Sequence, residues 1–137
     1  MNTLDVTYLK MAVEWSKLSY CNRKKVGSLI VKNGMIISDG YNGTPSKYIP
    51  NICEDENNTT KWYTLHSEAN AILKCAKYGG SCDGATLYTT LSPCKECCKL
   101  IIQSGIKRVV YIEKYPDEEG LELLMMCDIE IKQINIQ

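Results

Sequence analysis

The order of helices and strands is clearest in residues 64–112, which read TLHSEANAILKCAKYGGSCDGATLYTTLSPCKECCKLIIQSGIKRVVYI. Apolar residues recur at helical spacing before Gly79-Gly80 and again after Ser92-Pro93, a pair that favours the start of a helix. The segment predicts two helices and two strands in alternation: a helix over residues 64–78, a strand over 85–90, a helix from 92 to 104 and a strand over 108–112. This alternation implies crossover connections and a largely parallel region of sheet.

The flanking sequence extends this pattern in both directions. It predicts a helix whose apolar face carries Leu4, Tyr8, Met11, Trp15 and Leu18, strands over residues 26–32 and 35–40, a helix over 121–126 and a strand over 129–134. Asn33-Gly34 is a strong signal for a tight hairpin, so the first two strands are expected to be antiparallel. The polar loop over residues 40–60 is long, and such loops are often functional. Residues 1–137 are therefore predicted to form one α/β domain.

The composition excludes several classes of protein. Hydrophobic residues make up 45% of the chain and charged residues 23%, as in an ordinary globular domain. The formal net charge is zero, which argues against a nucleic-acid polymer as partner and leaves room for one or two phosphates in a basic pocket. No apolar run approaches the length of a membrane span, so no membrane partner is expected.

The chain contains eight cysteines, a high count for its length. The N-terminus has neither the basic nor the apolar region of a signal peptide, which predicts a cytoplasmic location. In that reducing compartment, metal-binding and free thiols are expected rather than disulfides. The cysteines expected to be small core or surface thiols are Cys75, Cys82, Cys98 and Cys127.

Two short motifs supply three metal-ligating side chains, His66, Cys94 and Cys97, and one spare carboxylate, Glu68. A structural zinc site is closed by four protein ligands, whereas a catalytic one keeps a position open for water. With Ser92 as N-cap, Cys94 falls at the second helical position, and Cys97 shares its face one turn later. The positive end of that helix favours thiolates, the form that binds zinc. These side chains therefore predict a hydrolytic zinc centre.

The spacing of His66 and Glu68 sets a geometric condition on this hypothesis. Residues two apart do not share a helix face, so both can serve one ion only if the metal lies over the helix start. Two helix starts must then point at the same place. Because His66 is the only histidine in the chain, the proton transfers of a hydrolytic reaction fall to Glu68. A Cys-x-x-Cys motif alone is often a structural zinc knuckle or a redox pair, but the two motifs together favour a catalytic centre.

Several stretches match one enzyme family in the order in which that family has them. They are Val26-Gly27-Ser28-Leu29-Ile30-Val31, Gly40-Tyr41-Asn42-Gly43-Thr44-Pro45, His66-Ser67-Glu68-Ala69-Asn70-Ala71-Ile72, Leu87-Tyr88-Thr89-Thr90-Leu91-Ser92-Pro93-Cys94, Gly105-Ile106 and Val109-Val110-Tyr111. The chain resembles the deoxycytidylate (dCMP) deaminases, members of the cytidine-deaminase-like zinc enzymes, whose signature is His-x-Glu followed by Pro-Cys-x-x-Cys. The second stretch narrows the resemblance to dCMP deaminases.

The resemblance implies a fold and an activity. The fold is a three-layer α/β/α sandwich around a five-stranded mixed sheet. The activity is zinc-dependent hydrolysis of dCMP to dUMP and ammonia, which supplies dUMP for thymidylate synthesis, with Glu68 as the catalytic residue and His66, Cys94 and Cys97 as Zn²⁺ ligands. The resemblance also implies a homohexamer that dCTP activates and that dTTP inhibits together with Mg²⁺.

Further residues are assigned to the substrate by the same resemblance. Asn42 matches the family asparagine that contacts the sugar and helps to close the pocket. Arg23-Lys24-Lys25 lies where the family has its phosphate-facing loop, although three basic residues in a neutral protein are more often a solvated turn. Tyr111 and Tyr115 match aromatic positions near the substrate pocket.

Cys21 and Cys53 match the positions of a second zinc site in some phage members of the family. Those sites also use histidine, and this chain has none to spare. Ser67 stands where alanine is commoner, and this small change is not expected to disturb zinc ligation.

Two other functions remain compatible with the motifs. One is a deaminase that acts on guanine, free cytidine or tRNA adenosine; the neutral charge argues against tRNA, and Arg23-Lys24-Lys25 argues against a free nucleoside. The other is a catalytically silent, zinc-stabilised binding module for dCTP or dTTP. Glu68 argues against the module, because a structural zinc site has no use for it.

Overall fold

The computed structural model of the protein describes residues 2–47 and 50–136, so that Met1, Tyr48, Ile49 and Gln137 lie outside it. Its elements, in chain order, are α1 Thr3–Ser16, β1 Gly27–Lys32, β2 Met35–Tyr41, α2 Ser67–Lys77, β3 Thr86–Leu91, α3 Lys95–Ser104, β4 Arg108–Glu113, α4 Glu119–Met126 and β5 Glu130–Gln133. Each predicted helix and strand is present. None of the helices in these two ranges is long and apolar enough to cross a membrane.

The strands form one mixed sheet in the order β2-β1-β3-β4-β5. β1 is antiparallel to both β2 and β3, whereas β3, β4 and β5 run parallel to one another. One face of the sheet is covered by α1, and the other by α2, α3 and α4. A separate hydrophobic cluster lies on each of the two faces. The predicted α/β/α sandwich around a five-stranded mixed sheet is therefore confirmed.

The hairpin between β1 and β2 follows from turn chemistry. Asn33 and Gly34 both have positive φ, at 53° and 75°, and Lys32 pairs with Met35 across the turn. A two-residue turn with both central residues in this region matches the right-handed twist of the strands that it joins. Local sequence alone was thus sufficient to predict this antiparallel pair.

Helix α1 packs against the sheet with a face that matches the predicted one only in part. Leu4, Met11 and Leu18 are exposed, and the buried positions of the helix include Leu9 and Ala12. The reason is a close approach to Gly27 of β1, where an added Cβ would lie 2.1 Å from the carbonyl oxygen of Ala12. Such proximity favours small residues at the point of contact, so Leu4 and Met11 of the predicted stripe point outward, whereas Tyr8 still packs against the hydrophobic cluster on this side of the sheet.

A buried ion pair joins α1 to the sheet. The Asp5 carboxylate, 1% exposed, accepts hydrogen bonds from the Arg108 guanidinium at 2.9 and 2.6 Å and from the Tyr88 hydroxyl at 2.5 Å. Arg108, followed by Tyr88, holds the pKa of Asp5 below its ordinary value against the opposing effect of burial. The N-terminal helix is therefore fixed to β3 and β4 by one carboxylate.

Asp5→Ala is expected to lower the free energy of unfolding by about 2–4 kcal/mol, because it leaves Arg108 and Tyr88 without their buried partner. A depressed carboxyl pKa contributes stability above the pKa of the unfolded state and loses it as pH falls through the folded value. The difference in unfolding free energy between Asp5→Ala and wild type should therefore be largest at pH 7 and should shrink below about pH 4. Urea unfolding across this pH range measures it. The exposed carboxylate in Glu14→Ala is the control, and equal losses in the two variants would contradict the prediction.

Candidate metal centre and active site

Two helix starts meet at one point on the α2–α3 side of the sheet. His66 is the N-cap of α2 and Cys94 is the N-cap of α3, both with extended backbone. The Nδ1 atom of His66 lies 3.3 Å from the Sγ atom of Cys94 and 3.4 Å from that of Cys97. The condition set by the His66–Glu68 spacing, two helix starts directed at one place, is confirmed.

The start of α3 lies two residues later than predicted. Cys94 is the N-cap, instead of Ser92, and Cys97 is in the first turn. Ser92 is engaged elsewhere: its hydroxyl accepts a hydrogen bond from the backbone N–H of Tyr115 at 2.7 Å, which joins the end of β3 to the loop after β4. This contact between distant parts of the chain overrides the local preference of serine for the N-cap.

The three side chains fit a zinc ion by geometry. In a tetrahedral zinc site, a nitrogen and a sulfur ligand lie about 3.5 Å apart, given metal bonds of about 2.0 and 2.3 Å. The two observed nitrogen–sulfur distances, 3.3 and 3.4 Å, are close to that value. All three ligand atoms lie within 4.8 Å of one another.

The ionisation of the two cysteines also favours metal binding. The Cys97 thiol and the His66 imidazole donate to Cys94 and lower the pKa of its thiol to about 3. The pKa of Cys97 is raised, because its thiol donates to Cys94 and because it is buried. The pair by itself therefore favours a single negative charge, and a divalent cation is the partner that allows both sulfurs to ionise.

Glu68 lies beside this cluster but is not one of its three ligands. It occupies the first turn of α2 and is 4% exposed. Burial raises the pKa of its carboxyl above the ordinary value, and a hydrogen bond from the Ser67 hydroxyl, at 2.5 Å, acts in the opposite direction. A carboxyl whose pKa is raised towards the working pH is suited to taking up and returning protons.

A cavity of about 260 Å³ opens over this cluster. The residues of the two motifs that line it are His66, Ser67, Glu68, Ser92 and Cys94. The other lining residues are Cys21, Arg23, Lys24, Val26, Asn42, Cys53, Glu54, Thr60, Thr64, Leu91 and Tyr115. Of the residues assigned to the substrate by resemblance, Arg23, Lys24, Asn42 and Tyr115 are therefore at the cavity.

The other two substrate assignments, Lys25 and Tyr111, are placed differently. Within the described residues neither side chain lines the cavity. The Nζ atom of Lys25 donates to the carbonyl oxygen of Ser19 at 2.5 Å, beside the cavity wall. Tyr111 is buried in the hydrophobic cluster between the sheet and the three helices, because its position on β4 directs the ring into that core.

Asn42 holds the loop that carries the basic residues. Its Oδ1 atom accepts from the backbone N–H of Val26 at 2.9 Å, and its Nδ2 atom donates to the carbonyl oxygen of Lys24 at 2.7 Å. Both ends of the side chain are thus used to fix the backbone next to Arg23. The asparagine was predicted to contact the sugar, and the structure adds this role in shaping the cavity wall.

Glu54 is a cavity residue that the sequence did not single out. It is buried, and its Oε2 atom accepts from the backbone N–H groups of Asn22 and Arg23 at 3.0 and 3.1 Å. The Arg23 guanidinium in turn donates to the hydroxyl of Thr60 at 3.3 Å. Glu54 and Thr60 belong to the long polar loop, whose length was the one sign that it carries functional residues.

Cys21 and Cys53 join the same two loops covalently. Their sulfur atoms are bonded at 1.97 Å, with the Cα atoms 5.1 Å apart. The possible second zinc site at Cys21 and Cys53 stays a prediction; their sulfurs and a carboxylate oxygen of Glu54 all lie within 4.8 Å of one another. The bond corrects the expectation of metal-binding and free thiols rather than disulfides. The physical reason is that the fold brings two distant loops within disulfide range. Cys75, Cys82, Cys98 and Cys127 do carry free thiols, as predicted.

Comparison with known proteins places this site in a family. A family model for the cytidine and deoxycytidylate deaminase zinc-binding region matches residues 2–113. Deoxycytidylate deaminase of Enterobacteria phage T4 is 37% identical over 150 residues, covering 80% of this chain and 77% of its own length. ComE operon protein 2 of Bacillus subtilis is 39% identical over 123 residues, which cover 86% of this chain, and the chain spans only 64% of that protein's length.

Solved structures give the same placement along nearly the whole chain. A crystal structure of dCMP deaminase from the cyanophage S-TIM5, in complex with dCMP and dUMP, superposes with a TM-score of 0.94. The two sequences are 41% identical, and the match covers 98% of this chain and 99% of the other.

Proposed function

The chain belongs to the cytidine and deoxycytidylate deaminase family, and from this premise we propose that it hydrolyses dCMP to dUMP and ammonia with a zinc ion bound by His66, Cys94 and Cys97. The observation that carries the proposal is one cavity lined by two chemically distinct groups of residues. His66, Cys94 and Glu68 form one group, and the basic residues Arg23 and Lys24 form the other. A cytosine nucleotide needs both groups of residues, the metal ligands and Glu68 for the ring and the basic side chains for the phosphate.

The chemistry follows from the groups that face the cavity. Zinc, when bound, supplies a Lewis acid that makes water a nucleophile near neutral pH. Glu68 accepts one proton of the attacking water and delivers it to N3 of the cytosine ring. It then takes the remaining proton from the hydroxyl formed at C4 and delivers it to the amino group, which leaves as ammonia while C4 becomes a carbonyl. One carboxylate serves both steps because its proton moves on within each turnover. Burial of Glu68 and Ser67 keeps bulk water away from that proton.

The basic residues are proposed to bind the phosphate. Arg23 is held by the backbone contacts of Glu54 and by Thr60, so its guanidinium is partly preorganised for a bidentate contact with phosphate oxygens. Lys24 adds a second positive charge to the same wall, although it also pairs with Glu113. With zero net charge overall, this local pair of cations accounts for recognition of a single nucleotide rather than a polymer.

A substrate panel tests the proposal directly. Purified zinc-loaded protein is expected to prefer dCMP over CMP, deoxycytidine and dCTP when the loss of cytosine absorbance is followed. A preference for deoxycytidine, guanine or an adenosine in tRNA would instead support one of the other deaminases. No turnover of any of these compounds by zinc-loaded protein would favour the silent binding module.

Arg23→Ala is expected to raise KM for dCMP about 10- to 100-fold, because a charged hydrogen bond to phosphate contributes roughly 1.5–3 kcal/mol. Activity on deoxycytidine, which lacks the phosphate, should change little. Lys25→Ala is the matched control, because its ammonium group contacts Ser19 beside the cavity wall. A similar loss for dCMP and deoxycytidine would show that Arg23 acts on the fold and not on the phosphate.

The remaining features implied by the resemblance stay predictions. They are supply of dUMP for thymidylate synthesis, activation by dCTP, inhibition by dTTP with Mg²⁺, and a homohexamer. The cytoplasmic location, expected from the N-terminal sequence, is a prediction as well. Adding each effector to the substrate panel, together with light scattering, would test the regulation and the oligomeric state.

A further inference from the structure

Two buried serines form a hydrogen-bonded chain that ends on Glu68. The Ser28 and Ser67 hydroxyl oxygens are 2.7 Å apart, and the Ser67 hydroxyl donates to Oε1 of Glu68 at 2.5 Å. Both serines are 0% exposed. Ser28 lies on β1 and Ser67 is the first residue of α2, so the chain links a strand at the inside of the sheet to the start of the helix that carries Glu68.

The direction of these hydrogen bonds follows from the donors that are present. An ionised carboxylate can only accept, so the single hydroxyl proton of Ser67 is directed to Glu68. The bond between the serines then takes its proton from Ser28. Each hydroxyl thus has one assigned role, and a chain of this kind strengthens each of its bonds.

We propose that Ser67, oriented by Ser28, is a positioning residue that holds Glu68 by Oε1 and leaves the other carboxylate oxygen to exchange protons with the reacting atoms. The inference rests on the proposed function of Glu68. A glutamate side chain has three rotatable bonds, and fixing one of its oxygens restricts the carboxylate to one orientation. Precision matters here, because misplacing a reacting group by about 1 Å can reduce the rate about 100-fold.

Alanine at position 67 would leave the carboxylate without this anchor. Ser67→Ala is therefore expected to lower kcat for dCMP about tenfold, with KM within about twofold of wild type and with full zinc content. A group that acts in proton transfer after the substrate is bound affects kcat more than KM.

A matched control is available on strand β2, where a serine contacts the same helix. Ser38 is also buried, and its hydroxyl donates to the carbonyl oxygen of Ala71 in α2 at 2.6 Å, away from Glu68. Ser38→Ala removes a comparable buried hydrogen bond and is expected to leave kcat within about twofold of wild type. Equal changes of kcat in Ser67→Ala and Ser38→Ala would overturn the proposal.

Ser28→Ala tests whether the chain acts as a unit. It should lower kcat about threefold, and the Ser28→Ala/Ser67→Ala double variant should match Ser67→Ala alone, because Ser28 acts through Ser67. Independent effects that multiply in the double variant would count against a connected chain.

Crystal structures of zinc-loaded wild type and Ser67→Ala provide a readout that does not depend on turnover. The Glu68 carboxylate should occupy one orientation in wild type and should rotate or become disordered in the variant. An unchanged carboxylate in the variant would refute the positioning role. If wild-type protein does not deaminate dCMP, the proposed function fails, whereas the two structures still decide whether Ser67 orients Glu68.

Discussion

Glu68→Gln is expected to reduce kcat for dCMP about 10³-fold while zinc content and fold are retained. Glutamine has the same shape and can still accept the hydrogen bond from Ser67, but it cannot take up and release a proton. Loss of a positioned general acid–base typically costs about 10²- to 10⁴-fold in rate. Because His66 is the only histidine in the chain, no second imidazole is available to transfer protons in place of Glu68.

The measurement is steady-state kinetics with dCMP, combined with zinc analysis and thermal unfolding of the same preparation. Glu54→Gln is a suitable control, since it also neutralises a buried carboxylate in the cavity wall, but one that holds backbone N–H groups. We expect Glu54→Gln to affect KM more than kcat. Substantial turnover by Glu68→Gln would mean that another group moves the protons.

Cys94→Ala should abolish measurable activity because it removes a zinc ligand. Zinc content should fall from about one ion per chain to nearly none, since two remaining ligands cannot complete a tetrahedral site. The thermal unfolding midpoint should fall as well, because Cys94 joins the starts of α2 and α3 through the metal and binding energy contributes to folding energy.

Cys98→Ala is the matched control for this experiment. Cys98 is another cysteine at the start of α3, more buried than Cys94, but it is not in the ligand cluster. It should keep full zinc content and most of the activity, with at most a modest loss of stability from the small cavity. Full zinc content in Cys94→Ala would contradict the ligand assignment, and equal loss in both variants would indicate a general effect on folding.

Much of the architecture was predictable because its signals are local. Asn33-Gly34 predicts its hairpin from the backbone preferences of two adjacent residues. The alternation of helix and strand after residue 64 predicts the parallel part of the sheet. The buried face of α1 was predicted only in part, because which of its sides is buried depends on the close approach of Gly27 from another element.

The candidate site likewise has features that local sequence predicts and features that it does not. His66, Glu68, Cys94 and Cys97 could be assigned from residue type and spacing, since few other chemistries use that combination. The N-cap at Cys94 could not, because Ser92 is drawn into a contact with the backbone of Tyr115. The placement of Lys25 and Tyr111 away from the cavity could not be predicted from the sequence either, because it depends on neighbours that only folding brings together.

The amino-acid sequence was enough to predict the deaminase family and its fold, and to propose the side chains that hold the metal and move protons. These conclusions rest on residue identity and short-range spacing, which do not change on folding. Folding was needed to reveal how the cavity is built: Glu54 and the Cys21–Cys53 bond join two distant loops, and Ser28 reaches Glu68 through Ser67. Such contacts connect residues that are tens of positions apart in the chain, and no local pattern encodes which of them will meet.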